Sequence, residues 1–232
     1  MKDLRLITIT LAMMTFVACG PIQRTRQSED TPVRTPETEN LLINLKKVSA
    51  RGFMFGHHDD TNYGIGWEGD EGRSDVKSVC GDYPAVISFD LGHIELGDTM
   101  SLDKVPFTKI RKEILNQYKR GGMSSLSWHL RNPLTGGDSW DVSDTTVVKS
   151  ILPGGANHEK FTGWVSKVSA FINSLQTEEG VKVPVLFRPW HEHTGSWFWW
   201  GEKLCTPEEY KALWHMTVDI LRNDGVDNAL YA

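Results

Sequence analysis

The densest group of reactive side chains lies in the run Phe187-Arg188-Pro189-Trp190-His191-Glu192-His193, followed closely by Trp197, Phe198, Trp199 and Trp200. A carboxyl enclosed by aromatic rings loses water, and that loss favours its protonated form. Such a group can hold a proton near neutral pH and deliver it as a general acid. Glu192 therefore fits two roles from the residues alone. It is either a proton donor or the acidic half of an ion pair with Arg188 that fixes the segment. Three further groups share this polar, aromatic character: His57-His58-Asp59-Asp60, the pair Asp90 and His93, and Trp128, His129 and Asn132.

Other chemistries fit less well. His191 and His193 are two residues apart, so on an extended chain they point to opposite sides. A helical His-Glu-x-x-His segment would aim both imidazoles at one zinc. A catalytic metal is accordingly not expected, and neither is a cofactor, since the turn after the first predicted strand carries His57-His58-Asp59-Asp60 in place of a glycine-rich phosphate loop. There is no Gly-x-Ser-x-Gly elbow, and Cys80 and Cys205 stand away from the polar groups. Far apart in sequence, these two cysteines form no disulfide framework and read as half-buried thiols.

The elements that must position these residues alternate between strand-like and helix-like patterns, which argues for a parallel sheet with crossover helices. A first helix is expected from Asn40 or Leu41 to about Ala50, with Leu42, Leu45 and Val48 on one face. Strands are expected at 52–56, 85–90, 123–128 and 183–188, the last nearly all apolar as a strand covered on both faces should be. Helices are expected from about Pro106 to Arg120, from His158 to Leu175 and from Thr206 to Arg222. Their apolar spacing gives each of the first two a buried face, and Thr206-Pro207-Glu208-Glu209 is a strong start for the third. A fifth strand opens at Asn228. Each polar group then follows the C-terminal end of a strand. A TIM barrel builds its active site on that rim, while a small open doubly wound sheet is the rival architecture.

The chain has 232 residues, a formal charge of −5 and nine tryptophans. Its basic residues form no stripe, so nucleic acid is not an expected partner. Several tryptophans neighbour Gly, His, Asn or Asp, where an indole face suits the C–H face of a sugar ring; each is equally compatible with a place in the core. Residues 1–19 read as an export signal, with Lys2 and Arg5 ahead of an apolar stretch too short for a permanent span. The segment ends Phe16-Val17-Ala18-Cys19, which resembles a bacterial lipobox with Cys19 as the lipidated residue. Phe16 departs from the usual Leu, so plain secretion stays open. Membrane contact is expected through that lipid anchor only, on the periplasmic side or the cell surface. Residues 20–40, rich in Thr, Pro, Glu, Arg and Gln, read as a flexible tether.

The run Arg188-Pro189-Trp190-His191-Glu192-His193-Thr194-Gly195-Ser196-Trp197-Phe198-Trp199-Trp200-Gly201 closely resembles the fourth-strand motif of glycoside hydrolase family 26, mostly endo-β-1,4-mannanases. Gly56-His57-His58-Asp59-Asp60-Thr61-Asn62-Tyr63-Gly64, Ser88-Phe89-Asp90 and Ser127-Trp128-His129-Leu130-Arg131-Asn132-Pro133 support it in the same order, and the likeness covers about residues 41–232. The resemblance implies an α/β fold, a (β/α)8 TIM barrel, and a retaining mechanism with two carboxylates. It implies Glu192 as acid/base, His191 and His129 as contacts to the sugar at the cleavage point, and Trp197 as an apolar face near the leaving side. Asn132 and Trp140 carry over more weakly as substrate contacts. The polysaccharide implied is mannan, galactomannan or glucomannan, with β-1,3-xylan or mixed-linkage glucan as alternatives. A lipid-anchored glycan-binding protein without turnover is the reading from another class. Such families place a second Glu near strand seven, about 5–5.5 Å from the first carboxyl. The expectation is that this barrel stops after about its fifth strand, lacks that nucleophile, and is inactive or nearly so as the polypeptide stands.

Overall fold

The structure is a computed structural model describing residues 33–232. The expected export signal, Cys19 and most of the tether lie outside the described residues. In chain order the elements are α1 (Pro36–Ser49), β1 (Gly56–His58), the hairpin strands β2 (Tyr63–Gly64) and β3 (Trp67–Glu68), α2 (Asp75–Cys80), β4 (Val86–Asp90), α3 (Phe107–Lys119), β5 (Met123–Ser127), α4 (Val147–Ile151), α5 (His158–Asn173), β6 (Val185–Arg188), α6 (Pro207–Asn223) and β7 (Ala229–Tyr231).

The main sheet has the order β1-β4-β5-β6-β7, and every pairing in it is parallel. Sheet order therefore equals chain order. A doubly wound sheet grows outward in both directions from its first strand, so its order reverses once. No reversal occurs, and right-handed crossovers in one direction keep the helices on one face. This is the winding of a (β/α)8 barrel, with five consecutive strands described.

Burial follows from that winding. Ile87, Phe89, Val185 and Phe187 are fully buried, and they share one core with Ile110 and Ile114 of α3 and with Phe161, Val165, Val168 and Ile172 of α5. The alternate strand positions Val86, Ser88, Leu186 and Arg188 are only half-buried. The expectation of a fourth strand covered on both faces is corrected here: helices cover one face of β6, and its other face is partly open to solvent. The apolar run in the sequence reflects a barrel strand whose inward face is also apolar.

Four other expectations shift. The first helix begins at Pro36, so residues 36–40 are not tether. Thr35 caps the helix by accepting from the Thr38 amide, Pro36 starts the first turn, and Glu37 and Glu39 face the positive end of the helix dipole. Val48, expected inward, is exposed. The first strand pairs over Gly56–His58 and not over 52–56, because its neighbour offers partners only from Val86 onward, in register Gly56↔Val86. Phe53 and Phe55 are left exposed. Both cysteines are free, but Cys80 is exposed and only Cys205 is partly buried, which pushes its thiol up to about 11.

Candidate active site

The C-terminal ends of the parallel strands bring four of the polar groups together. Asp90 closes β4, His129 follows β5 by two residues, and His191 and Glu192 follow β6. Asp90 is 2 % exposed. Its Oδ1 accepts from the Gly92 and His129 amides at 2.6 and 3.2 Å, and its Oδ2 accepts from Ser127 Oγ at 2.6 Å and meets His129 Nδ1 at 2.6 Å. Burial acts to raise this carboxyl, yet the donated bonds and the neighbouring imidazole outweigh it and hold Asp90 at about 2.

The contacts continue inward. His129 Nε2 lies 3.0 Å from His191 Nε2, and His191 Nδ1 lies 3.2 Å from the Arg188 carbonyl. The partners fix the ring protons. A carbonyl only accepts, so His191 Nδ1 carries hydrogen. The Asp90 carboxylate only accepts, so His129 Nδ1 does too. A third proton must then lie between the two Nε2 atoms. Burial first, then His129 and Arg188, push His191 down to about 4. The result is a buried chain, Asp90 to His129 to His191, whose polarity is set from β4 outward.

Aromatic rings brace this chain. The Trp140 ring stacks on His129 at 5.4 Å and 8°, and Phe198 meets both imidazoles edge-on at 5.1 and 5.3 Å. Trp200 Nε1 donates to the His191 carbonyl at 2.9 Å, while the Tyr210 hydroxyl donates to the Trp190 carbonyl at 2.7 Å and Trp190 Nε1 to Thr217 at 3.2 Å. Trp190, Trp199 and Trp200 are buried; Trp140 and Trp197 stay about half exposed at 52 % and 48 %. The tryptophan-rich run thus divides into core residues that anchor the rim and one indole, Trp197, which with Trp140 from the loop after β5 faces solvent over it.

Glu192 sits differently from the sequence expectation. It is exposed, and of the aromatic residues expected to enclose it only Trp197 bonds to it, Nε1 donating to Oε2 at 3.0 Å. Trp190, Phe198, Trp199 and Trp200 turn into the core. Among the described residues Glu192 forms no ion pair with Arg188, so the structural alternative is not what the fold adopts. Its backbone lies in the left-handed region at φ 56°, as does Ser196 at φ 57°. Between them runs the one-turn helix His193–Gly195, closed by Gly195 N–H to Glu192 O at 3.0 Å. Strained backbone of this kind persists only where the surroundings dictate it, and it is concentrated at functional sites.

Asn132, expected to touch substrate, is placed elsewhere. It is fully buried, its Oδ1 accepts from the Leu134 and Thr135 amides, and its Nδ2 donates to the Asp141 carbonyl at 2.9 Å. Those bonds build the loop that carries Trp140. Two other glutamates also have fixed tasks: Glu95 is buried, accepting from Trp128 Nε1 and the Arg131 amide, and Glu209 completes the capping box of α6. Ser127 was not singled out as a site residue from sequence, and Phe198 was expected against Glu192 and not against the two imidazoles. Only Ser127's position at the end of β5, two residues before His129, marks it.

Sequence comparison gives the group its context. Residues 31–232 match glycosyl hydrolase family 26. A mannan endo-1,4-beta-mannosidase from Bifidobacterium adolescentis is 35% identical over 204 residues, covering 85% of this chain and 20% of that protein. A solved β-mannanase of the family from Bacteroides ovatus superposes with a TM-score of 0.84 at 65% identity, covering 85% of this chain and 58% of that one. A modular endo-beta-1,4-mannanase from Cellulomonas fimi gives a TM-score of 0.78 at 35% identity, covering 86% and 46%. The chain spans only part of the length of each of these relatives. With its family sequence running from residue 31 to residue 232 and its strands wound as a barrel, this chain belongs to glycosyl hydrolase family 26.

Proposed function

We propose that the protein cleaves β-1,4-mannosidic bonds in mannans, with Glu192 as the acid/base of a retaining, two-carboxylate reaction. The observation that carries this is the position of Glu192. It stands exposed on the rim, bonded to a half-exposed Trp197 and adjoining the buried Asp90–His129–His191 chain. An acid/base must reach the glycosidic oxygen and later a water, so exposure serves both steps. Glu192 gives its proton to the leaving oxygen, then takes one from the water that releases the sugar. The second carboxylate of such a reaction is not assigned among the described residues. His129 and His191 present fixed polar edges beside the cleavage point, and Trp140 and Trp197 offer faces to sugar rings. The relatives are named as mannanases, and the activity comes to this chain by the family and by these residues. Export through residues 1–19 with lipidation at Cys19 fits a polymeric substrate met outside the cell.

The test is to incubate the intact protein with galactomannan, glucomannan, β-1,3-xylan and mixed-linkage β-glucan and measure new reducing ends. Mannan chains should be cut. Binding without new ends would favour a glycan-binding protein, and release from glucan alone would remove the mannan assignment. Glu192→Ala should lower turnover by orders of magnitude and recover in part with azide on substrates with good leaving groups; near-normal turnover would displace Glu192 from the role.

A further inference from the structure

The run His57-His58-Asp59-Asp60 takes no part in the chain described above, yet the fold gives two of its members a partner that sequence could not supply. His58, Asp59 and Asp103 bring one ligand atom each to within 4.8 Å of one another. His58 and Asp59 end β1, and Asp103 belongs to the loop after β4. His58 Nε2 lies 3.3 Å from Asp59 Oδ2. That is about the edge of a tetrahedron around an ion with ligand distances of about 2.0–2.2 Å.

Two further observations point toward a ligand. The Asp103 carboxylate has no hydrogen-bond or ion-pair partner among the described residues, although the side chain is only partly exposed. Asn62, 1 % exposed, donates from Nδ2 to Asp59 Oδ1 at 2.7 Å, while its own Oδ1 is buried without a partner. The Asp59 carboxylate is thus held in place by an amide and turned toward His58. Its backbone takes the left-handed φ of 52° to do so. Of the two carboxylates gathered in this partly buried place, Asp59 has His58 as a partner, while Asp103 has no cationic side chain within ion-pair distance among the described residues, and a cation held by all three would compensate it.

We propose that His58, Asp59 and Asp103 bind a divalent transition-metal ion of the zinc type, tying the loop after β4 to the end of β1. One imidazole and two carboxylates suit zinc or manganese better than calcium or magnesium, which take oxygen ligands almost alone. Three protein ligands leave a coordination position for water. The ion is structural in this assignment: it fixes the rim beside Asp90 without entering the hydrolysis.

The experiment uses the intact protein after EDTA treatment, with zinc chloride as the probe in titration calorimetry and thermal unfolding. One equivalent should bind with micromolar or tighter affinity and raise Tm by several degrees. Asp103→Asn and His58→Gln should each weaken binding at least tenfold, and a hundredfold excess of calcium should not compete. Replacing zinc with cobalt(II) gives a second readout independent of stability, since a site of low coordination number shows intense visible bands that the Asp103→Asn protein should lack. Absence of one-equivalent binding overturns the proposal. So does binding of equal strength in both variants, which would locate zinc on another group such as the His129–His191 pair or the exposed Cys80 thiol.

Discussion

Replacing Asp90 with Asn changes one atom of a buried carboxylate and reverses what that atom does. Oδ1 would go on accepting from the Gly92 and His129 amides. The new NH2 group would face Ser127 Oγ and His129 Nδ1, both of which donate to the native Oδ2. The serine hydroxyl can turn and accept, but His129 Nδ1 must give up its hydrogen and the ring must keep its proton on Nε2. The carboxylate charge is lost although every hydrogen bond can be remade. What His129, Ser127 and the Gly92 amide together contribute by holding that charge follows from the carboxyl, which lies at about 2 in place of 3.8. At about 1.36 kcal/mol per unit this is about 2.5 kcal/mol. The folded value is depressed, so the contribution is complete above about pH 4 and is lost as the pH falls through about 2, with roughly half gone by pH 3. Urea unfolding of both proteins between pH 3 and pH 6.5 isolates it: the stability difference between native protein and Asp90→Asn should shrink by about 1 kcal/mol toward the acid end. A difference that stays constant across that range would mean that these partners do not hold Asp90 in its ionised form.

Other consequences follow from the same geometry. His191 is pushed down to about 4 from 6.5, chiefly by burial, so the unfolded chain takes up its proton first; its share of stability, about 3 kcal/mol at most, should be present above about pH 6.5 and fall away toward pH 4, and His191→Gln should flatten that part of the pH–stability curve. Asn132→Ala leaves the Leu134 and Thr135 amides without their acceptor and should cost about 2 kcal/mol in thermal or urea unfolding; an unchanged stability with a raised KM would instead return Asn132 to substrate binding. A Cβ on Gly195 would overlap the Trp197 ring, so Gly195→Ala should displace the indole from Glu192 and lower kcat/KM about tenfold while the fold persists; full activity would show that this contact is dispensable.

The barrel winding was legible because its strands and helices carry strong periods. Ile110 and Ile114 in α3, and Phe161, Val165 and Val168 in α5, are spaced for one buried face, and all are buried. The rim was legible for the same reason, since a polar residue just past an apolar strand can only project from its end. What escaped was whatever depends on pairing across the chain. The hairpin β2–β3 has two residues in each strand and no alternation to detect, and its Trp67 is fixed through Nε1 by Asp75, eight residues away. The partnership of Asp103 with His58 and Asp59 joins loops more than forty residues apart. Composition likewise gave no means of dividing the tryptophans: Trp197 and Trp199 are two residues apart, but one lies over the rim and the other is fully buried.

That division bears on how an exposed glutamate can be positioned. A surface carboxylate has freedom to spend, and an acid/base must hold one orientation through two proton transfers. Here the restraint comes from the backbone. Two left-handed residues, Glu192 and Ser196, bracket a single helical turn, and the buried anchors Trp190, Trp199 and Trp200 hold both ends of that turn against the core. Gly195, lacking a side chain, lets Trp197 fold back so that its indole N–H meets Glu192. The buried chain ending at His191 sets the residue immediately before Glu192, through the Arg188 carbonyl and Trp200. Glu192 can therefore be open to solvent on one side, as the proposed acid/base role requires, and still be fixed from behind. Burial of the carboxyl itself, which the aromatic sequence around it suggests, is not needed to aim it.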